Sequence, residues 1–174
     1  MTNIEFKATA PDFRRLRPAL RALGFSPAAR PLDQVDWYFA VRGGRLKLRH
    51  LKAQTRGELI FYVRSNAATA RASEYQTLPV DDVPHLLKLL RAMFRPLACV
   101  RKRRELWLRN GTRVHLDQVA GLGRFLEIEV PVTDSPARAR QAMRALTTQL
   151  GITREQMLAV SYCDLLRRSQ ESHS

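Results

Sequence analysis

Asn3-Ile4-Glu5-Phe6-Lys7, at the start of the chain, and Leu126-Glu127-Ile128-Glu129-Val130, near its end, alternate apolar with polar or charged residues at a period of two. Successive side chains of a β-strand point to opposite faces, so each stretch predicts a strand with one apolar and one ionisable face. Ile4 and Phe6 oppose Asn3, Glu5 and Lys7; Leu126, Ile128 and Val130 oppose Glu127 and Glu129. A charged strand face ordinarily meets water. The alternative is that several such faces converge on one interior that holds charge, and the remaining strands decide between the two.

The same alternation recurs along the chain. Arg45-Leu46-Lys47-Leu48-Arg49 follows Gly43-Gly44, and Leu59 to Arg64 follows Gly57. Residues 97–109 carry Lys102 and Arg104, and Asn110-Gly111 joins them to residues 112–119. Asn-Gly between two alternating runs is a strong hairpin signal. Residues 35–41 and 73–80 read as further strands, 25–34 as a proline-bearing loop, and Ser65 to Arg71 as a mobile loop. Three helices show as apolar stripes: Phe13, Leu16, Leu20 and Leu23 before Gly24; Val83, Leu86, Leu87 and Leu90 after Asp81-Asp82; and Ala139, Ala142, Met143, Leu146 and Leu150 after Asp134-Ser135-Pro136. Pro18 either kinks the first helix or delays its start, since a mid-helix proline costs about 3 kcal/mol. Thr153 and Gln156 fit a capping box for a short fourth helix. About eight strands and three or four helices result. No repeat or linker divides them, so residues 1–174 read as a single domain whose last residues, 166–174, form a polar tail expected to fray.

Lys and Arg total 30 against 16 Asp and Glu, a formal charge of +14 that calls for a polyanionic partner. No apolar run approaches the roughly 20 residues that span a bilayer, and no signal-peptide pattern opens the chain. Cys99 and Cys163 are too few and too far apart for a disulfide framework and suit a reducing cytoplasm, the expected location. His50, His85, His115 and His173 lack ligand spacing, which speaks against zinc.

Sorted by strand face, the cations are Lys7, Arg45, Lys47, Arg49, Arg64, Lys102 and Arg104, and the acids are Glu5, Asp117, Glu127 and Glu129. The residues between them are largely apolar, except Arg103, which is expected to reach outward. One such strand is a solvated face. Five or six, with the signs segregated, favour a shared interior: helices cover the apolar face of an antiparallel sheet, and the charged faces line a lumen. Unpaired buried ions cost several kcal/mol each. Mixed signs relieve part of that cost, and a chelated metal and phosphate chain would relieve the remainder.

These residues resemble a known family. Asn3 to Ala8 is similar to the Glu-x-Glu-x-Lys signature of the CYTH superfamily, the triphosphate tunnel metalloenzymes. Gln34-Val35-Asp36-Trp37-Tyr38-Phe39 looks like its Gln-x-Asp-Thr-Tyr-Phe segment. Gly44 to Arg49, Leu59 to Arg64, Ser73-Glu74-Tyr75, Val100 to Leu106, His115-Leu116-Asp117, Gly121-Leu122-Gly123, Phe125 to Val130 and Ser161 to Leu166 follow in the family's order. The likeness covers nearly the whole chain and is strongest to the class IV adenylyl cyclases. Two positions depart: Asn3 stands where the signature has its first Glu, and Trp37 where Thr is usual.

The resemblance implies an α+β fold, an eight-stranded antiparallel closed β-barrel with helices packed outside, and a triphosphate bound in the lumen. It implies Mg²⁺ or Mn²⁺ held by Glu5, Glu127 and Glu129 with Asp117 contributing, and phosphates gripped by Lys7, Arg45, Lys47, Arg49, Arg64, Lys102 and Arg104. Glu5, Glu127, Glu129 and Lys47 are the expected catalytic set. The implied reaction converts ATP to cyclic AMP and pyrophosphate; a triphosphatase acting on tripolyphosphate or thiamine triphosphate uses the same charges. Tyr38 reads as a packing residue, His115 as a hydrogen-bonded structural histidine, and Tyr62, Tyr75 and Tyr162 as shaping the nucleotide end. The rival from another class is a non-catalytic binder of RNA or polyphosphate. No membrane partner is expected, and a homodimer is compatible with either reading.

Overall fold

Alternating strands with one apolar face must cover that face, and here the sheet curls so that its apolar side meets helices and its ionisable side faces inward. The computed structural model describes residues 2–52, 54–64 and 71–171, with Arg64 and residues 71–74 described by backbone alone. Among them are nine strands: β1 (Thr2–Thr9), β2 (Ser26–Pro27), β3 (Leu32–Phe39), β4 (Arg45–Leu51), β5 (Gly57–Arg64), β6 (Arg71–Val80), β7 (Pro96–Arg109), β8 (Thr112–Val119) and β9 (Gly123–Pro131). The helices are α1 (Phe13–Ala22), α2 (Val83–Met93), α3 (Pro136–Gln149) and α4 (Tyr162–Glu171). The stretch read as a mobile loop, Ser65 to Arg71, lies almost wholly outside the described residues.

All pairings are antiparallel, in the order β2-β7-β3-β4-β5-β6-β1-β9-β8, and β7 also pairs β8. The sheet is a curled half-barrel, which corrects the closed eight-stranded barrel in two respects. A ninth strand is present, β2, a two-residue ribbon beside Trp107 and Leu108. The curl is also thinly joined: β7 pairs β3 up to Arg104 and β8 from Lys102 on, so the two ladders share only residues 102–104. Among the described residues, β1 on the opposite side meets β6 through four residue pairs. A long strand that leaves one neighbour for another splays the sheet and leaves the concave side open to solvent.

The convex side carries the main core. Ile4, Phe6, Trp107, Val114, Leu116, Leu126 and Ile128 pack beneath Phe13, Leu16 and Leu20 of α1 and Ala139, Met143 and Leu146 of α3. Trp107, Leu126 and Ile128 are at most 1% exposed, and each such side chain contributes about 1.5–3 kcal/mol. Phe39 and Leu48 pack on Val83 and Leu90 of α2. A further cluster joins Tyr38, Val100, Val119 and Phe125 to Tyr162 and Cys163 of α4. These strand residues share a face with Asp36, Lys102, Asp117 and Glu127, so α4 closes one end of the concave side.

Local chemistry explains the element ends. Asp12, Asp82 and Ser135 cap α1, α2 and α3, accepting from the backbone N–H of Arg14, His85 and Arg138 at 2.9, 3.0 and 3.3 Å. Asn110 and Gly111 both take positive φ, 47° and 76°, which matches the twist of a two-residue hairpin turn. A Cβ at Gly57 would lie 2.0 Å from the Arg49 carbonyl oxygen, so only glycine fits where β5 meets β4. α1 starts at Phe13 and carries an exposed Pro18 inside it. The expected fourth helix at Thr153 is a single 3₁₀ turn, with Gln156 Oε1 accepting from the Thr153 N–H at 2.9 Å. Residues 166–171, expected to fray, are helical in α4.

Candidate active site

The concave side encloses a cavity of about 490 Å³, of the size that takes small ligands. Three walls of different character surround it, and strand register explains each.

β3, β4 and β7 build the cationic wall. Asp36 on β3 lies opposite Arg49 on β4 and has no exposed surface. It accepts a fork from Arg49, Nε at 2.9 Å and Nη2 at 3.2 Å, and a third bond from Lys102 Nζ at 2.6 Å. Lys47 Nζ stands 4.0 Å away. Burial favours the neutral acid, but Arg49, Lys102 and Lys47 outweigh it and hold the Asp36 carboxyl well below the usual range. One carboxylate cannot balance three cations, and the lysines yield. Burial, reinforced by Arg49, lowers Lys47 to about 7 against the pull of Asp36. Burial lowers Lys102 to about 8, with Asp36 opposing and Arg104 assisting.

The acidic wall comes from β1, β8 and β9. Glu5 lies opposite Glu129 and Lys7 opposite Glu127; across the next ladder Arg113 faces Glu129 and His115 faces Glu127. Glu127 is held by Lys7 at 3.2 Å and by Arg104 at 2.8 Å. Burial opposes ionisation, yet Lys7 and Arg104 keep its carboxyl well below the ordinary range. Arg113 pairs with Glu129 at 3.3 Å. Lys7 is buried and stacks its ammonium 3.6 Å from the centre of the Tyr162 ring.

Asp117 stands behind this wall, not on it. It is fully buried, takes a fork from Arg104 at 2.7 and 2.6 Å, and accepts from the Tyr162 hydroxyl at 3.0 Å. Burial and Arg104 lower the pKa of His115, which leaves its imidazole neutral. Its Nδ1 has no hydrogen-bond partner, so the expectation of a hydrogen-bonded structural histidine does not hold at that atom. Nδ1 stands 3.5 Å from Glu127 and 3.8 Å from Glu129, and His115, Glu127 and Glu129 bring ligand atoms within 4.8 Å of one another. Two carboxylates and an unpartnered imidazole nitrogen are a donor set that fits a divalent cation.

The third wall is less charged. Tyr62 and Ile60 of β5 lie opposite Tyr75 and Thr77 of β6, with Glu58 at an exposed position. Asn3 Nδ2 donates to the Tyr75 hydroxyl at 3.4 Å.

Of the residues singled out from sequence, Glu5, Lys7, Lys47, Arg49, Lys102, Arg104, Glu127 and Glu129 line this one cavity. Arg45 does not: it donates to Ser161 Oγ at 2.5 Å, pairs with Asp164 at 2.9 Å, and lines a separate hollow beside α4. The Arg64 side chain lies outside those described, and Arg103 is exposed as expected. Sequence reasoning gave no role to Asp36, Arg113, Glu58 or Ser161. Asp36, the one charged residue within residues 35–41 read as a strand, carried a readable signal. Arg113, in step with His115 and Asp117, did so too.

Comparison with curated protein sequences gives no match. Among solved structures, the PH1012 protein from Pyrococcus horikoshii OT3 superposes with a TM-score of 0.84 at 22% identity, covering 94% of this chain and 98% of its own. A conserved hypothetical protein from Pyrococcus furiosus gives 0.83 at 22%, covering 94% and 99%. A protein from Vibrio parahaemolyticus, named a "putative adenylate cyclase", gives 0.76 at 19%, covering 95% and 98%. Identities this low speak for a shared fold. The sequence itself goes further: residues 1–162, which span every strand and the start of α4, match the CYTH domain, and the chain belongs to the CYTH family.

Proposed function

We propose that this protein is a divalent-metal-dependent enzyme that acts on the triphosphate of ATP, forming cyclic AMP and pyrophosphate like the class IV adenylyl cyclases it resembles. The observation that carries the reading is the convergence of Lys7, Lys47, Arg49, Lys102, Arg104 and Arg113 with Glu5, Glu127 and Glu129 on one cavity. A wall with three cations on a single carboxylate holds surplus positive charge, which a phosphate chain neutralises. The name of the Vibrio neighbour agrees with this reaction. Residues 1–174 act as one unit, and the concave side of the curled sheet receives the phosphates.

In this reading Glu5, Glu127 and Glu129 hold Mg²⁺ or Mn²⁺, which when bound polarises phosphoryl oxygens and makes the attacking hydroxyl more acidic. Lys47, Arg49 and Lys102 grip the β- and γ-phosphates, while the wall of Ile60, Tyr62, Tyr75 and Thr77 takes the base. The ribose 3′-hydroxyl attacks the α-phosphorus, the bond to the β-phosphate oxygen breaks, and pyrophosphate leaves. The hydroxyl proton passes to a carboxylate of the acidic wall. Lys47, whose Nζ exchanges its proton near neutral pH, delivers one to the departing oxygen.

A triphosphatase is the second reading. It is favoured by the open concave side, which gives water a path to the terminal phosphorus. Incubation with ATP, GTP, thiamine triphosphate and tripolyphosphate, with Mg²⁺ or Mn²⁺, followed by chromatography of the products, separates the two. Cyclic nucleotide with pyrophosphate marks the cyclase, and orthophosphate marks the triphosphatase. Salt-sensitive, metal-indifferent binding without turnover would overturn both and leave the polyanion binder.

A further inference from the structure

Three buried side-chain atoms among the described residues lack a hydrogen-bond partner: Gln34 Oε1, Trp107 Nε1 and His115 Nδ1. Only the last stands within a group of potential metal ligands. Leaving a buried polar atom unpaired is costly, so its retention asks for a partner. The neighbouring carboxylate is not that partner. At 3.5 Å from Glu127 Oε2 the contact is too long for a good N–H···O bond. That oxygen already accepts from Arg104 at 2.8 Å, and the other is paired with Lys7 at 3.2 Å. The register places His115 directly opposite Glu127, and Arg113 opposite Glu129. Strand alternation therefore aims the imidazole at the same side as both acids. His115 itself is 4% exposed.

We infer that His115 Nδ1 is a nitrogen ligand of the metal site formed with Glu127 and Glu129, and that it makes the site prefer a first-row transition ion over Mg²⁺. The physical basis is ligand chemistry. Mg²⁺ demands oxygen ligands and retains its water, whereas imidazole nitrogen binds transition ions far better. An imidazole nitrogen that ligates a metal adds a donor without adding negative charge, beside carboxylates that Lys7, Arg104 and Arg113 already pair. Mn²⁺ is the natural probe, because it accepts both oxygen and nitrogen and is paramagnetic.

The inference rests on the proposed metal dependence but is tested by binding, without turnover. Substoichiometric Mn²⁺ is added to the full chain, and pulsed electron paramagnetic resonance is used to look for ¹⁴N modulation from a directly bound imidazole. That signal is expected in the native protein and is expected to vanish in His115→Gln and in His115→Ala. Mn²⁺ affinity should fall by about tenfold or more in either variant, with Mg²⁺ affinity changed by less than about twofold. Absence of nitrogen modulation, its persistence in His115→Gln, or no Mn²⁺ binding at all overturns the inference. The native-protein spectrum decides even if a variant fails to fold. Turnover with Mg²⁺ and no nitrogen signal sinks this inference alone, whereas a nitrogen signal without turnover of any triphosphate sinks the proposed activity and keeps the metal site.

Discussion

The two charged walls of the cavity are built from the same strand alternation and reach opposite electrostatic states. On the acidic wall Glu127 has Lys7 and Arg104, the latter shared with Asp117 behind the wall, and Glu129 has Arg113. On the cationic wall Lys47, Arg49 and Lys102 share Asp36. The first wall is close to balanced, and the second is short of negative charge. A buried surplus of cations is tolerable where a polyanion completes it.

The largest expected effect tests the shortage directly. Asp36→Asn removes the carboxylate shared by three cations, and breaking a buried pair from one side costs about 3–5 kcal/mol. Urea denaturation should show that loss, and saturating tripolyphosphate should restore much of it by supplying the missing charge. A variant as stable as the native chain would break the comparison at its centre. Next comes Glu129→Gln on the balanced wall. Product chromatography should show turnover reduced about a hundredfold or more, while circular dichroism stays native. Full activity with metal still required would remove Glu129 from the metal site.

A smaller effect is the pH dependence of tripolyphosphate binding. In the free protein Lys47 loses its proton above about 7, and the ligand binds the charged form. Affinity should therefore weaken as pH rises from 7 toward 9, approaching tenfold per unit, with proton uptake measurable by calorimetry in buffers of different ionisation enthalpy. Lys47→Met should make the profile shallower, with Lys102, lowered to about 8, carrying the slope that remains. For the ligand-free protein the sign reverses: the unfolded chain keeps the Lys47 proton to about 10.5, so this residue's destabilising contribution is full below pH 7 and fades between 7 and 10.5. The smallest effect concerns Arg45, which pairs with Asp164 in a partly exposed setting. Arg45→Met should cost at most about 1 kcal/mol and leave tripolyphosphate affinity unchanged. A large loss of affinity would return Arg45 to the phosphate set.

Much of the site was legible because its residues lie on strands. Glu5, Lys7, Lys47, Lys102, Arg104, Glu127 and Glu129 declared their common face by period two alone, and that parity survives any sheet curvature. Asp117 has the right parity too, yet it sits behind the wall, because α4 brings the Tyr162 hydroxyl to it and closes that end of the cavity. Arg45 has the parity of Lys47 but meets Ser161 and Asp164. In both cases a helix far along the chain claims the side chain, and no local pattern reports such a contact. Histidine spacing spoke only against zinc and gave no sign that His115 faces Glu127, since the two meet across a ladder rather than along a strand.

Strand positions, the face each residue takes and the excess of positive charge were settled by the order of amino acids, because a backbone of period two needs no partner to define its faces. How far the sheet curls, where its ladders hand over at residues 102–104, and which cations share Asp36 were decided only by the folded chain. These depend on contacts between strands and helices remote in sequence. The electrostatic balance of a buried group is set by everything within a few ångströms of it, whatever its place in the chain.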